Sequence, residues 1–211
     1  MVRVKICGLT RVEDALAAEA AGADAIGLVF WEPSKRFVTL ERAAAIASAL
    51  GPFVGRVGVF RDADVDDVLH AVRSLRLTAV QLHGDEPPAY AGALRELVTV
   101  IRALPFTTGL SAEELRAYPA DGILLDGAAP GSGEAFDWTA ATGLRGLPRL
   151  IVAGGLTPAN VGDVVRELQP YGVDVSSGVE VGPGIKHGDL MEEFVRRARL
   201  AELSTVIHRG A

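Results

Sequence analysis

Short apolar runs rich in β-branched residues alternate along the chain with longer segments in which apolar residues recur every three or four positions. The short runs predict strands, and the longer segments predict amphipathic helices. The predicted strands cover residues 2–7, 24–30, 54–60, 78–82, 98–103, 121–126, 149–153 and 172–175. The predicted helices cover residues 11–21, 39–50, 64–75, 86–96, 111–118, 139–144, 157–168 and 189–202, the sixth being the weakest.

This order places eight strand-then-helix units in 211 residues. Strands such as DAIGLVF at 24–30 are apolar on both faces, which is typical of parallel strands covered by helices. A doubly wound sheet usually has about five or six strands, whereas eight such units close into a barrel. No shift in composition marks an interdomain linker. The sequence therefore predicts the α/β class, with one (β/α)8 TIM barrel domain spanning residues 1–211.

Charge and composition narrow the possible partners. The net charge is −6 and no dense basic run occurs, so we expect neither nucleic acid nor a membrane as partner. A single cysteine allows no intrachain disulfide, and the start of the chain lacks the features of a secretory signal. We therefore expect a cytoplasmic protein that acts on a small molecule. The sequence is compatible with either a monomer or a homodimer.

In a (β/α)8 barrel the catalytic groups stand at the carboxyl ends of the strands. The first strand ends in KICGLT, so Cys7 is a candidate base whose thiol pKa nearby helix amides would lower, although a packed core cysteine is the alternative. The sixth strand ends in LLD, so Asp126 is a candidate general acid, with a capping carboxylate as the alternative. A pair at one barrel mouth favours catalysis over both alternatives.

Two glycine- and serine-containing segments follow the seventh and eighth strands, and they contain Gly154, Gly155, Ser176, Ser177 and Gly178. Thr157 is predicted to cap the helix that follows the first segment. Either segment alone could be a turn without a ligand. Together, at neighbouring strand ends, they predict a phosphate site, because barrel phosphate sites are built from these two loops.

Three further side chains are candidates to bind the substrate. Arg36 lies in the loop after the second strand, where its guanidinium could bind a carboxylate, although a solvated surface arginine is the alternative. Gln81 and His83 are two residues apart at the end of the fourth strand and therefore share a face. No metal is predicted, because no second His or Cys stands at a metal-ligand spacing. The roles of Trp31, Trp138, Lys35, Lys186 and His187 stay open.

Six segments, in order, resemble the motifs of the phosphoribosylanthranilate isomerase family of tryptophan biosynthesis. They are KICGLT at 5–10, SKR at 34–36, VQLHG at 80–84, LLDGAAPGSGEAFDW at 124–138, AGGLTPANV at 153–161 and DVSSGVE at 174–180. The resemblance implies an Amadori rearrangement of N-(5-phosphoribosyl)anthranilate without a cofactor. It also implies that Asp126 is the acid, Cys7 is the base, Arg36 binds the anthranilate carboxylate and the last two loops bind the phosphate.

The chain departs from the family pattern in WEPSKRF, where a Lys often precedes the Ser, and in GIKHGD, where an Asp commonly follows the Lys. Two other functions remain as alternatives. One is another sugar-phosphate isomerase of the same fold. The other is a barrel protein that binds a phosphosugar without turning it over, which the presence of both Cys7 and Asp126 disfavours.

Overall fold

Eight parallel strands form a closed barrel in which each strand pairs with the next and the eighth pairs with the first. The structure is a computed structural model that describes residues 1–106, 110–127 and 138–209. The strands are β1 (Arg3–Ile6), β2 (Ala25–Val29), β3 (Gly55–Phe60), β4 (Ala79–Leu82), β5 (Thr99–Pro105), β6 (Gly122–Asp126), β7 (Leu150–Val152) and β8 (Gly172–Val175). The prediction of a single (β/α)8 barrel is confirmed.

Helices connect the strands and cover the outside of the barrel. They are α1 (Val12–Ala20), α2 (Leu40–Ala49), α3 (Val65–Leu75), α4 (Pro88–Arg95), α5 (Ala112–Ala117), α6 (Val161–Leu168) and α7 (Gly188–Arg209). The weak helix predicted at 139–144 is a 3₁₀ helix, Trp138–Leu144, and α7 continues past its predicted end at 202. Within the described ranges, no helix has the length and apolar character needed to cross a membrane.

The start of α6 differs from the prediction. Thr157 was expected to cap this helix, but the helix begins at Val161. The Asn160 side chain accepts a hydrogen bond from the Thr157 amide at 2.8 Å and donates one to the Gly155 carbonyl at 2.9 Å. Asn160 thus stabilises a separate turn before the helix, which ties the start of α6 to the loop that follows β7.

A small antiparallel hairpin follows β8 and was not predicted. Its strands are β9 (Glu180–Gly182) and β10 (Ile185–Lys186), which are too short to show a periodic pattern. The Thr10 hydroxyl donates a 2.6 Å hydrogen bond to the Gly184 carbonyl, so the hairpin is attached to the loop after β1. This contact holds the hairpin beside the carboxyl end of β1.

The barrel interior differs in character from the layer between strands and helices. That outer layer contains large apolar side chains such as Phe194, Leu28 and Ile46, all fully buried. The interior contains a separate cluster of six buried apolar side chains, half of which are alanines, namely Val57, Ala79, Ile101, Ala103, Leu124 and Ala153. Lys5, Gln81 and Asp174 are also buried, and each precedes by two residues a group at the carboxyl end of its strand. Polar groups therefore line the barrel beneath its mouth.

We predict that Phe194→Ala lowers the free energy of unfolding by about 3–5 kcal/mol, because removing a buried aromatic ring leaves a cavity. Phe194 has no exposed surface and lies in α7, which packs against α6 and α1. Urea unfolding measures the change. The control is Leu203→Ala in the same helix, where the side chain is 51% exposed and the change should stay within about 0.5 kcal/mol. Equal effects in both variants would contradict this account of the core.

Candidate active site

A cavity of about 580 Å³ opens at the carboxyl ends of the barrel strands. Nine of the ten predicted site residues line it, namely Cys7, Arg36, Gln81, His83, Asp126, Gly154, Gly155, Ser176 and Ser177. The tenth, Gly178, does not line the cavity but packs against the backbone of the loop after β7, where a Cβ atom would lie 1.9 Å from the Leu156 carbonyl oxygen. The cavity thus brings together side chains from six strand ends and the loops that follow them.

Cys7 directly follows β1, and its amide donates a 2.8 Å hydrogen bond to the Val175 carbonyl of β8. Gly8 then turns the chain with a φ of 74°, a left-handed conformation that glycine adopts without strain. Gly27 on β2 faces the thiol so closely that a Cβ atom there would lie 2.5 Å from Cys7 Sγ. The thiol is held between β8 and β2, and its side chain is directed into the cavity.

The expectation that helix amides lower the pKa of the Cys7 thiol is wrong. The helix α1 begins only at Val12, and Cys7 is 8% exposed. Burial raises the pKa of the thiol, Lys5 opposes this effect, and Asp174 adds to it, so the net pKa lies above the ordinary value for cysteine. In the unliganded protein Cys7 is therefore a thiol, not a thiolate, at neutral pH.

Asp126 is the last residue of β6 and is also 8% exposed. Its Oδ1 atom accepts a 2.8 Å hydrogen bond from the Gly127 amide. Its Oδ2 atom lies 3.4 Å from Nε2 of His83, the residue that directly follows β4. The local capping bond therefore uses one carboxyl oxygen and leaves the other facing the cavity. Residues 128–137 of the loop predicted to follow lie outside the described residues.

The loops after β7 and β8 make close backbone contacts that only glycine allows. Gly154 has a φ of 82°, and a Cβ atom there would lie 2.2 Å from the Gly127 amide nitrogen. The hydroxyl of Ser176 donates a 3.0 Å hydrogen bond to the Cys7 carbonyl. Ser177 begins a short 3₁₀ helix, Ser177–Val179. The predicted phosphate loops thus lie side by side, next to both Cys7 and Asp126.

Arg36 is not the solvated surface residue that was the alternative to carboxylate binding. Its Nε and Nη2 atoms donate two hydrogen bonds of 2.8 Å to the carboxylate of Glu180, and its side chain is only 14% exposed. Lys186, whose side chain is fully buried, also donates to Glu180, at 2.7 Å. Burial tends to raise the pKa of Glu180, but Arg36 and Lys186 outweigh burial and hold it below its usual value. Two cations thus share one anion, which leaves this three-residue cluster with one positive charge in excess.

Sequence reasoning did not assign Glu180, Lys186, Lys5 or Asp174 to the site. Lys5 and Asp174 form a buried ion pair of 2.8 Å beneath Cys7. The signal that could have found them is the two-residue period of a strand, which puts Lys5 on the face of Cys7 and Asp174 on the face of Ser176. No such signal exists for Glu180 and Lys186, because the hairpin that carries them has no periodic pattern.

A closed (β/α)8 barrel with a thiol, a carboxyl group and a paired arginine in one cavity at the carboxyl ends of its strands is a barrel enzyme. A family model described as N-(5'phosphoribosyl)anthranilate (PRA) isomerase matches residues 4–197. The N-(5'-phosphoribosyl)anthranilate isomerase of Myxococcus xanthus is 47% identical over 96% of this chain and 98% of its own length. The chain therefore belongs to the N-(5'-phosphoribosyl)anthranilate isomerase family and is an isomerase.

Solved structures show the same relationship. The phosphoribosyl anthranilate isomerase of Thermus thermophilus is 47% identical and has a TM-score of 0.89 over 96% of this chain and all of its own. A second isomerase, solved with reduced 1-(o-carboxyphenylamino)-1-deoxyribulose 5-phosphate, is 41% identical and has a TM-score of 0.86 over 94% of this chain and 99% of its own. The sequence-based resemblance to this family is confirmed.

We predict that Glu180→Gln lowers the free energy of unfolding by about 3 kcal/mol at pH 7, because it leaves the buried charges of Arg36 and Lys186 without their anion. The low pKa of Glu180 in the folded protein contributes stability above the unfolded pKa of about 4.5, and this contribution is lost as the pH falls through the folded pKa. The difference between the wild type and the variant should therefore shrink below pH 4.5.

The matched control for this prediction is Glu193→Gln, which removes a carboxylate with a 31% exposed side chain that also pairs with two cations, Arg196 and Arg197. Solvent screens that cluster, so its removal should leave the urea midpoint almost unchanged at every pH. If Glu180→Gln and Glu193→Gln have the same small effect, Glu180 does not hold a buried charge cluster together.

Proposed function

We propose that the chain catalyses the Amadori rearrangement of N-(5'-phosphoribosyl)anthranilate to 1-(2-carboxyphenylamino)-1-deoxyribulose 5-phosphate in tryptophan biosynthesis. The observation that carries the proposal is that Cys7 and Asp126 line one cavity, with Arg36 and the loops after β7 and β8 on its walls. The size of the cavity, about 580 Å³, suits a small-molecule substrate. A relative solved with the reduced form of this product supports the same choice.

Asp126 acts first in the proposed reaction, as general acid. Its carboxyl group gives a proton to the furanose ring oxygen, the C1′–O bond breaks, and the anilinic nitrogen supplies the electron pair that forms an iminium ion. Gly127 holds Oδ1 of Asp126, so Oδ2 is the atom that faces the substrate. His83 lies next to Oδ2 and is positioned to contact the same ring oxygen.

Cys7 acts second, as general base. The Cys7 thiol first loses its proton to solvent through the open mouth of the cavity. The resulting thiolate takes the C2′ proton of the iminium ion, the C–H electron pair forms the C1′–C2′ double bond, and the electron pair of the C1′–N double bond returns to nitrogen, which gives a neutral enolamine. The enolamine then gains a proton at C1′ and loses the C2′ hydroxyl proton, which gives the ketone. Burial disfavours the thiolate in the unliganded protein, and the positive iminium ion next to it favours the thiolate in the complex.

The remaining predicted residues bind the substrate in this proposal. Arg36 binds the anthranilate carboxylate through the part of its guanidinium that Glu180 leaves open. Gln81 is 1% exposed, and its Oε1 atom has no hydrogen-bond partner among the described residues, so it is available to accept a bond from a sugar hydroxyl. The phosphate-binding loops are built from Gly154, Gly155, Ser176, Ser177 and Gly178, whose amides and hydroxyls suit an anion.

Location and assembly follow from the same proposal. Catalysis requires Cys7 as a free thiol, and a reducing compartment preserves it, so we propose that the protein acts in the cytoplasm. All side chains assigned to the reaction belong to one chain, so the proposed site works in a monomer or in a homodimer.

We predict that Cys7→Ala and Asp126→Asn each lower kcat by about 10²–10⁴-fold, because each variant removes one proton-transfer group. The loss of phosphoribosylanthranilate fluorescence measures turnover, and circular dichroism checks the fold. Ser48→Ala, on the exposed face of α2, is the control and should keep wild-type kcat. A folded wild-type protein without turnover would favour a phosphosugar-binding role, and turnover only with other aldose phosphates would favour another isomerase.

We predict that Arg36→Ala raises KM about 10–100-fold, because a hydrogen bond to a charged group contributes about 1.5–3 kcal/mol and each 1.4 kcal/mol is about tenfold. Steady-state kinetics measures KM and kcat separately. The control is Arg42→Ala, since Arg42 is exposed on α2 and should leave KM unchanged. An unchanged KM in Arg36→Ala means that Arg36 does not bind the carboxylate.

A further inference from the structure

A buried ion pair lies inside the barrel directly beneath the candidate base. Lys5 on β1 and Asp174 on β8 are neighbours across the strand pairing that closes the barrel. Their Nζ and Oδ2 atoms are 2.8 Å apart, and each side chain is only 7% exposed. Both residues precede by two positions a residue that lines the cavity, Cys7 in one strand and Ser176 in the other. The pair therefore forms the floor of the site.

A buried ion pair contributes little net free energy to the stability of a barrel interior. Removing two charges from water costs about as much as their attraction returns, and apolar residues of similar volume are often as stable or more so. The Oδ1 atom of Asp174 has no hydrogen-bond partner in the described part of the chain. A pair present only to fill space would satisfy both carboxylate oxygens. The arrangement therefore points to a role in the chemistry above it.

The ammonium group of Lys5 interacts with the Cys7 side chain, two residues along the same strand and on the same face. Its positive charge favours the thiolate over the thiol. The Lys5 ammonium also donates a 2.8 Å hydrogen bond to Oδ2 of Asp174. Lys186 and Arg36 also interact with Cys7, and both pair with Glu180. The other charged or titratable groups that line the cavity among the described residues are Asp126, His83, Arg102, Arg61 and Asp85.

We propose that Lys5 is a positioning residue for proton transfer at Cys7, and that Asp174 holds its ammonium group in place beneath the sulphur. This proposal rests on the assignment of Cys7 as the base. Lys5 does not touch the substrate, since Cys7 lies between it and the cavity mouth. It acts by reducing the free energy needed to form the thiolate of Cys7 in the buried site, although burial still keeps Cys7 a thiol in the unliganded protein.

The charges around the thiol support this role. Burial raises the pKa of Cys7, and among the opposing influences Lys5 is the largest, ahead of Lys186. Burial alone would lower the pKa of Lys5, but Asp174 and Cys7 outweigh burial and keep it above its ordinary value. Lys5 therefore stays charged throughout the neutral range, which is the condition for its effect on Cys7.

The test uses the fact that Cys7 is the only cysteine of the chain. The rate of alkylation by iodoacetamide, measured against pH without substrate, therefore reports the titration of this thiol alone. We predict that Lys5→Met raises the alkylation midpoint by about 1–2 pH units, because it removes an opposite charge close to the sulphur. Lys5→Arg keeps the charge and should stay closer to the wild type. Lys35→Met, at an exposed lysine of the rim, should leave the midpoint unchanged.

The same variants are then compared in turnover. In Lys5→Met, the acidic limb of the kcat/KM profile should move to higher pH by the same amount as the alkylation midpoint, and kcat at pH 7 should fall about tenfold or more, with KM almost unchanged. If Lys5→Met does not fold because Asp174 is left unpaired, the double variant Lys5→Met/Asp174→Asn removes both charges. Its midpoint should also lie above that of the wild type, by less than in the single variant.

Two results separate failure of this inference from failure of the proposed function. An unchanged alkylation midpoint in folded Lys5→Met or in the double variant overturns the role of Lys5, even if Cys7→Ala is inactive. A raised midpoint with an unchanged pH profile of kcat/KM shows that Cys7 is not the base, which overturns the proposed mechanism and the role of Lys5 within it.

Discussion

The parallel pairing of β8 with β1 is the constraint on which the whole site depends. It joins segments 169 residues apart in the chain and brings Lys5 beside Asp174 and the Ser176 hydroxyl onto the Cys7 carbonyl. The Cys7 amide also bonds to β8, through the Val175 carbonyl. A barrel that failed to close would leave Cys7 at a free strand edge, without the charges that surround it. Closure therefore creates the chemical environment of the candidate base, in addition to its position.

Burial of charge in this barrel follows one rule, which is that each buried cation has a nearby carboxylate. Lys5 pairs with Asp174 in the floor, and Arg36 and Lys186 share Glu180 at the rim. The pair in the floor is neutral, whereas the cluster of Arg36, Lys186 and Glu180 carries one positive charge in excess. An anionic substrate that enters from the rim compensates this excess. In the proposed reaction the anthranilate carboxylate does so, which explains why an arginine already bound to a carboxylate is still suited to bind a second one.

The period of the apolar pattern was sufficient to predict the fold, because every barrel strand and most helices bury a regular face. Nine predicted site residues line the cavity, eight of them because they stand at or just beyond a strand end and Arg36 because it lies in the loop that follows β2. The pattern failed where contacts distant in sequence decide the outcome. The Glu180 partner of Arg36 is 144 residues away, on a hairpin too short to have a period. The start of α6 was missed for a different, local reason, because the Asn160 side chain bonds to Thr157 and Gly155 and forms a separate turn before the helix. The raised pKa of Cys7 likewise depends on burial, which only the closed barrel creates.

That raised pKa also bears on the order of the proposed proton transfers. A buried thiol in the unliganded protein is a poor base, and the positive charge that would activate it most strongly is the iminium ion formed after ring opening. Asp126 must then act before Cys7, so the thiolate appears next to the substrate atom from which it takes a proton. Lys5 lowers the free energy of forming the Cys7 thiolate. Thiolate formation still depends on the substrate, because burial outweighs the effect of Lys5 in the unliganded protein. A cysteine that is reactive only in the complex is protected from alkylation and oxidation between turnovers.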